Sequence, residues 1–262
     1  MLHAGKHVGR GLFNALAELG SVRISPPDEP RAAAHRLSGA LATIARAHDL
    51  DVCVRGEVPR GQALIVANHV SYLDPVAILP VCPAIPVCKD DVADWPIVGS
   101  IASGLGVVFV KRGVPHERVV TLRRVHDLLV AGAPVLNFPE GTTTHGAKVM
   151  PFWRGTFGIA QRLDLPVVPV AVRYRDPALA WYGQATFLPH YWRTVRRARV
   201  EVELRFGAPL HARAGEAAEA MAARARGVIC QMLESMRWID AGPSASVSAA
   251  RPDSILPPAG VA

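Results

Sequence analysis

The chain has 262 residues, of which 50% are hydrophobic and 19% charged. That suits one sizeable globular core and excludes a largely disordered polymer. A formal net charge of +7 predicts attraction to an anionic partner: nucleic acid, anionic lipid or a phosphorylated substrate.

In chain order, Val8, Leu12, Leu16 and Leu19 fall at helical spacing beside Lys6 and Arg10. Such a helix packs on its own domain or lies on a bilayer surface. The first twenty residues lack the continuous apolar core and cleavage pattern of a secretory signal, so none is expected there, and four cysteines expected as buried free thiols suit a cytosolic compartment. Ser25-Pro26-Pro27-Asp28-Glu29-Pro30 is a breaker. Residues 31–49 then read as a helix with Leu37, Leu41 and Ile44 on one face. Strands are expected from Asp51 to Gly56, over Ala63–Ala67, Pro86–Lys89 and Gly106–Val110. Residues 117–131 have helical period through Val120, Leu122, Val125, Leu128 and Leu129. A strand over 134–138, a short helix over 155–163 and strands over 165–172 and 200–206 follow. A helix over 216–236 turns Met221, Val228, Met232 and Met236 inward.

Alternating strands and helices predict an α/β layered domain. The expected organisation is N-terminal helices over 1–49, a catalytic domain over 50–240 and a disordered tail over 241–262. No run reaches the roughly 18 apolar residues of a membrane-spanning helix. The nearest, residues 70–88, contains Asp74 and prolines 75, 80, 83 and 86. Cys53, Cys82, Cys88 and Cys230 form no C-x-x-C pair, so zinc and redox sites are not expected. Arginines 193, 196, 197 and 199 form one cationic group, and Lys111, Arg112, Arg123 and Arg124 a second. No nucleic-acid motif accompanies either, so nucleic acid is not an expected partner. Each reads as a solvated face, with anionic lipid the alternative for residues 193–199.

Chemistry concentrates after the Ala63–Ala67 strand, in Asn68-His69-Val70-Ser71-Tyr72-Leu73-Asp74. A neutral imidazole takes the proton of a poor nucleophile such as an alcohol as it attacks an acyl carbon. A carboxylate on the far ring nitrogen fixes the tautomer and stabilises the imidazolium. Positions i and i+5 point about 140° apart on a regular helix, so His69 and Asp74 meet only if the chain turns between them. Either Ser71 caps the next helix, or Asp74-Pro75 opens it. Glu140-Gly141-Thr142 follows a second apolar run through Pro139. There Gly141 permits close backbone approach and Glu140 offers an acceptor to a hydroxyl. Arg112, at a strand end, has the fork for a phosphate or carboxylate. A serine hydrolase using Ser71 or Ser100 lacks the G-x-S-x-G elbow. A lipid-binding module without catalysis would not need His69, Asp74 and Glu140 together. His145, after the glutamate turn, and His190, in an expected loop over 188–192, carry no specific assignment.

The ordered set N-H-V-S-Y-L-D (68–74), G-V-V-F-V-K-R (106–112), F-P-E-G-T (138–142) and L-P-V-V-P-V (165–170) resembles the four blocks of the glycerolipid acyltransferases. The similarity is to the 1-acyl-glycerol-3-phosphate and related lysolipid acyltransferases with the H-x-x-x-x-D motif. It implies a mixed, largely parallel sheet flanked by helices, with the base at the mouth of an apolar tunnel. It implies O-acyl transfer to a lysolipid hydroxyl in phospholipid biosynthesis, with 1-acyl-sn-glycerol-3-phosphate as acceptor. His69 is then the general base and Asp74 its orienter, and attack on the thioester is direct. Arg112, Glu140, Gly141 and Thr142 would bind the polar head. Acyl-CoA or acyl-carrier protein would be the donor, with no metal or other cofactor. The implied location is peripheral, on the cytoplasmic face of the inner membrane. Two departures stand out. Thr143 follows E-G-T where phosphate-acceptor members usually carry arginine, which favours lyso-ornithine lipid or another lysolipid. The N-terminal stretch is only mildly amphipathic, so docking is expected through basic charge and apolar surface around 75–105, including Trp95.

Overall fold

Every residue of Leu64-Ile65-Val66-Ala67 is fully buried, as in a central strand covered on both faces. The structure is a computed structural model and describes residues 29–90, 107–110 and 115–236. Its helices are α1 (Pro30–Ala47), α2 (Asp74–Ile78), α3 (Pro115–Val130), α4 (Gly155–Arg162), α5 (Phe187–Val195) and α6 (Ala218–Ser235). Its strands are β1 (Leu50–Arg55), β2 (Leu64–Ala67), β3 (Ile85–Lys89), β4 (Val108–Val110), β5 (Val135–Asn137), β6 (Val167–Tyr174) and β7 (Val200–Phe206).

The strands form one sheet in the order β1-β7-β6-β2-β5-β3-β4. Only β6 and β7 pair antiparallel, so β1 and β7 run against the other five. The mixed, largely parallel α/β sheet implied by the resemblance is the one observed. Period-two alternation divides the core. Ile65, Ala67, Val168, Val170 and Val202 face Leu37 and Ala40 of α1 and Ile78 of α2. Leu64, Val66, Val135 and Val167 face Val125 and Leu129 of α3, Phe157 of α4, and Met221 and Ile229 of α6.

Three expectations need correction. Val120 does not join the core of α3; it is 45% exposed, and Val125 and Leu129 carry the buried stripe. The stretch containing His190 is helix α5 rather than a loop. Ala77, Ile78, Leu79, Cys82, Ala84 and Ile85 are buried, so the first part of the expected docking region is core. The N-terminal amphipathic helix, Trp95, Ser100, Lys111, Arg112 and the tail 241–262 lie outside the described residues. No described helix is long and apolar enough to cross a membrane.

Candidate active site

Three adjacent parallel strands, β6, β2 and β5, deliver the site at their carboxyl ends, where open α/β sheets place chemistry. As the chain leaves β2, the Asn68 carboxamide substitutes for a peptide. Its Oδ1 accepts from Val172 N at 2.8 Å and its Nδ2 donates to Val172 O at 3.0 Å. The β2–β6 ladder is thereby extended one step, which fixes where His69 begins.

Asp74 opens α2 with Pro75 in the first turn, and a bond from Asp74 N to Ser71 O closes the turn between them. The carboxylate therefore folds back over the loop. Its Oδ2 accepts from His69 Nδ1 at 2.7 Å, Val70 N at 2.7 Å and Ser71 N at 3.0 Å. Its Oδ1 accepts from Tyr174 Oη at 2.8 Å. An ionised carboxylate only accepts, so Nδ1 holds the ring proton and the neutral imidazole presents its lone pair at Nε2. Asp74 is fully buried, whereas the His69 side chain is 18% exposed. Phe138 stacks on the imidazole, with centroids 4.1 Å apart and planes at 19°. Burial first, then the Asp74 charge, pushes the Tyr174 hydroxyl well above 10.0, so it remains a donor.

The backbone of His69 is held as firmly as its ring. Glu140 Oε1 accepts from His69 N and Oε2 from Met150 N, both at 2.7 Å. Thr144 N donates to His69 O at 2.9 Å, and its hydroxyl reaches the same carbonyl at 3.3 Å. Desolvation raises the Glu140 pKa above its ordinary 4.5, against the lowering effect of the two N–H bonds. Arg226 of α6 donates to the carbonyls of Val149 and Met150, pinning the far end of this loop. Gly141 sits at φ +73°, and a Cβ there would lie 3.1 Å from the Trp153 indole nitrogen. The turn and the indole together call for glycine.

The structure thus brings together His69, Asp74 and Glu140, with Gly141 in the adjoining turn. Thr142 is exposed at the rim, and Arg112 lies outside the described residues. Glu140 clamps the peptide of His69, a different task from the hydroxyl contact expected of it. Among the described residues, buried Ser71 Oγ has no hydrogen-bond partner and is bonded to no base. His145 is exposed and contacts the Tyr182 ring edge-on at 5.6 Å. His190 is buried beside Tyr72. Sequence reasoning missed Tyr174, Thr144 and Arg226, and gave Phe138 no task. Phe138 was legible inside F-P-E-G-T, whereas Tyr174 reaches Asp74 only through strand pairing.

Residues 51–173 match the protein family described as Acyltransferase. The lyso-ornithine lipid O-acyltransferase of Pseudomonas aeruginosa is 33% identical over 184 residues, which cover 68% of this chain and 71% of that one. The 1-acyl-sn-glycerol-3-phosphate acyltransferase of Neisseria gonorrhoeae is 31% identical over 159 residues, 57% of this chain and 60% of that one. The crystal structure of the 1-acyl-sn-glycerophosphate acyltransferase of Thermotoga maritima shares the fold. Its TM-score is 0.63 over 91% of this chain and 98% of that one, at 23% identity.

Proposed function

The chain belongs to the Acyltransferase family, and from that premise we propose that it moves a fatty acyl group from a thioester to the free hydroxyl of a lysolipid. The observation that carries the chemistry is the 2.7 Å bond between His69 Nδ1 and buried Asp74, which aims the lone pair at Nε2. His69 Nε2 takes the hydroxyl proton as the oxygen attacks the thioester carbonyl. The C–O bond forms, the C–S bond breaks, and the leaving thiolate takes the proton from the imidazolium. Asp74 stabilises that imidazolium and keeps its orientation. Glu140 and Thr144 hold the peptide of His69 so that the ring meets the acceptor in one geometry. The proton balance closes on His69 alone. Arg112 and the exposed Thr142 remain as head-group contacts, and acyl-CoA or acyl-carrier protein as donor. Basic net charge supports work at an anionic membrane surface, on the cytoplasmic face of the inner membrane.

Two acceptors fit. 1-Acyl-sn-glycerol-3-phosphate is the substrate named for the Neisseria relative. Thr143, in place of an arginine, removes one phosphate fork and favours lyso-ornithine lipid, the substrate named for the Pseudomonas relative. A lipid-binding role without catalysis has no need of the bonded His69–Asp74–Tyr174 chain. The test is transfer from labelled acyl-CoA and acyl-carrier protein to both lysolipids, with His69→Ala in parallel. Transfer lost in the variant supports the reading. Absence of transfer from folded protein with either donor and either acceptor refutes it.

A further inference from the structure

We infer that the outer face of α5 is a docking surface for an anionic lipid bilayer, built beside the catalytic loop. The helix is pinned from within. Tyr72, three residues after His69, bonds through its hydroxyl to His190 Nδ1 and Thr194 Oγ1, both at 3.1 Å. Tyr191 stacks on Phe187 at 5.4 Å and bonds His48 at 3.0 Å. Trp181, in the preceding loop, donates its backbone N–H to Val70 O at 2.9 Å. The helix is therefore tied to the His69 loop through Tyr72, and the loop before it through Val70.

Its outer face has the opposite character. Leu188 is 74% exposed and Trp192, one turn on, is 58% exposed. Tyr182, which reaches His145 on the loop after Glu140, is also exposed. Exposed Arg193 and Arg196 flank them, and the Arg196 guanidinium lies over the Trp192 ring at 4.7 Å. No acidic residue occurs between Thr186 and Arg199.

The four arginines here divide into two pairs. Arg197 bonds Asp176 and Arg199 bonds Asp51, whereas neither Arg193 nor Arg196 meets a carboxylate among the described residues. The uncommitted pair is the one beside the apolar residues. An indole and a leucine between two cations suit the acyl–headgroup boundary, where rings bury and guanidinium groups meet phosphate. Nucleic acid offers Leu188 nothing apolar to enter. A second copy meeting this face about a two-fold axis would set arginine against arginine. An anionic bilayer satisfies both the apolar and the cationic residues.

Docking would bring the His69 loop to a surface where lysolipids reside, and in that purpose it rests on the lysolipid reading. Vesicle binding needs no turnover, so the two fail separately. The 262-residue chain is sedimented with phosphatidylcholine vesicles containing or lacking phosphatidylglycerol. Leu188→Glu with Trp192→Glu should weaken partitioning about tenfold on the anionic vesicles. Arg193→Ala with Arg196→Ala should remove about tenfold of the gain conferred by phosphatidylglycerol. Circular dichroism verifies that both variants are folded; as all four side chains point outward, both should be. Unchanged partitioning of both variants overturns the proposal. So does a solution dimer abolished by Trp192→Glu, or duplex DNA binding that depends on Arg193 and Arg196 as strongly as vesicle binding does.

Discussion

Two carboxylate oxygens hold His69 directly, Asp74 Oδ2 at the ring and Glu140 Oε1 at the backbone, and the residues of this cluster make separate predictions. His69→Ala should lower kcat by about 10²–10⁴-fold in the transfer assay while leaving the melting temperature close to wild type. Asp74→Asn puts an amide beside Nδ1 and frees the ring to take the wrong tautomer, so a kcat loss of similar size is expected with little change in KM. Tyr174→Phe is milder in catalysis, because three donors still hold Asp74 Oδ2. It strands Oδ1 of a buried carboxylate, and urea titration should show a loss on the order of 1.5–3 kcal/mol. Glu140 adds a pH dependence. Burial raises its folded pKa above 4.5, so the folded state binds this proton more tightly than the unfolded chain does. The stability of wild type relative to Glu140→Gln should be greatest below about 4.5 and decline as pH rises through the raised folded value. Urea midpoints across acid pH measure this; a relative stability that increases over that window would contradict the burial argument. Of these residues His69, Asp74 and Glu140 were legible in sequence, because their chemistry is unusual next to apolar strands. Tyr174 was not, since a tyrosine ending a strand looks like core until the strands are paired.

At the level of elements, the site exists because β6, β2 and β5 are neighbours, a fact no local pattern carries. Strand β2 was legible as a short continuous apolar run, and β7 as an alternation. Strand β6 was legible despite Pro169, and the structure shows why the proline is tolerated. Pro169 O accepts from Gly207 N at 2.8 Å, so this residue's polar edge faces the β7 side, where the β6–β7 ladder begins only at Val170. Helix α5 was illegible because Pro189 and four aromatic or imidazole side chains lie within nine residues. Proline is accepted in a first turn, and packing around Tyr72 supplies what propensity lacks. The phase of α3 was misjudged at Val120 because β-branched residues also sit at 119 and 125. Helix α6 acts on the site from the other side of the sheet. Arg226 fixes the Val149 and Met150 carbonyls, and Met150 N in turn holds Glu140. Arg226→Ala should therefore cost about 1–3 kcal/mol and lower kcat several-fold with KM little changed. Arg226→Lys should recover part of both, while full activity in the alanine variant would show that the loop holds Glu140 unaided.

Across the whole molecule, the order of four short blocks identified family and fold, because each block ends a strand of one sheet or packs within it. The net charge of +7 was equally plain but did not say where the charge acts. Position separates the arginines of residues 193–199: Arg197 and Arg199 are neutralised locally, whereas Arg193 and Arg196 stand beside exposed Leu188 and Trp192. Salt separates surface attraction from chemistry. The Debye length falls from about 10 Å at 0.1 M to about 3 Å at 1 M, which screens exposed charges but hardly touches a buried pair. Transfer to a lysolipid embedded in phosphatidylglycerol vesicles should therefore drop several-fold over that range. Transfer to a short-chain acceptor dissolved as monomers should change by less than about twofold, since the Asp74–His69 bond is shielded from the counterions. If both fall together, the salt-sensitive step is recognition of the acceptor or donor at the site, and the basic surface is not what brings the enzyme to its substrate.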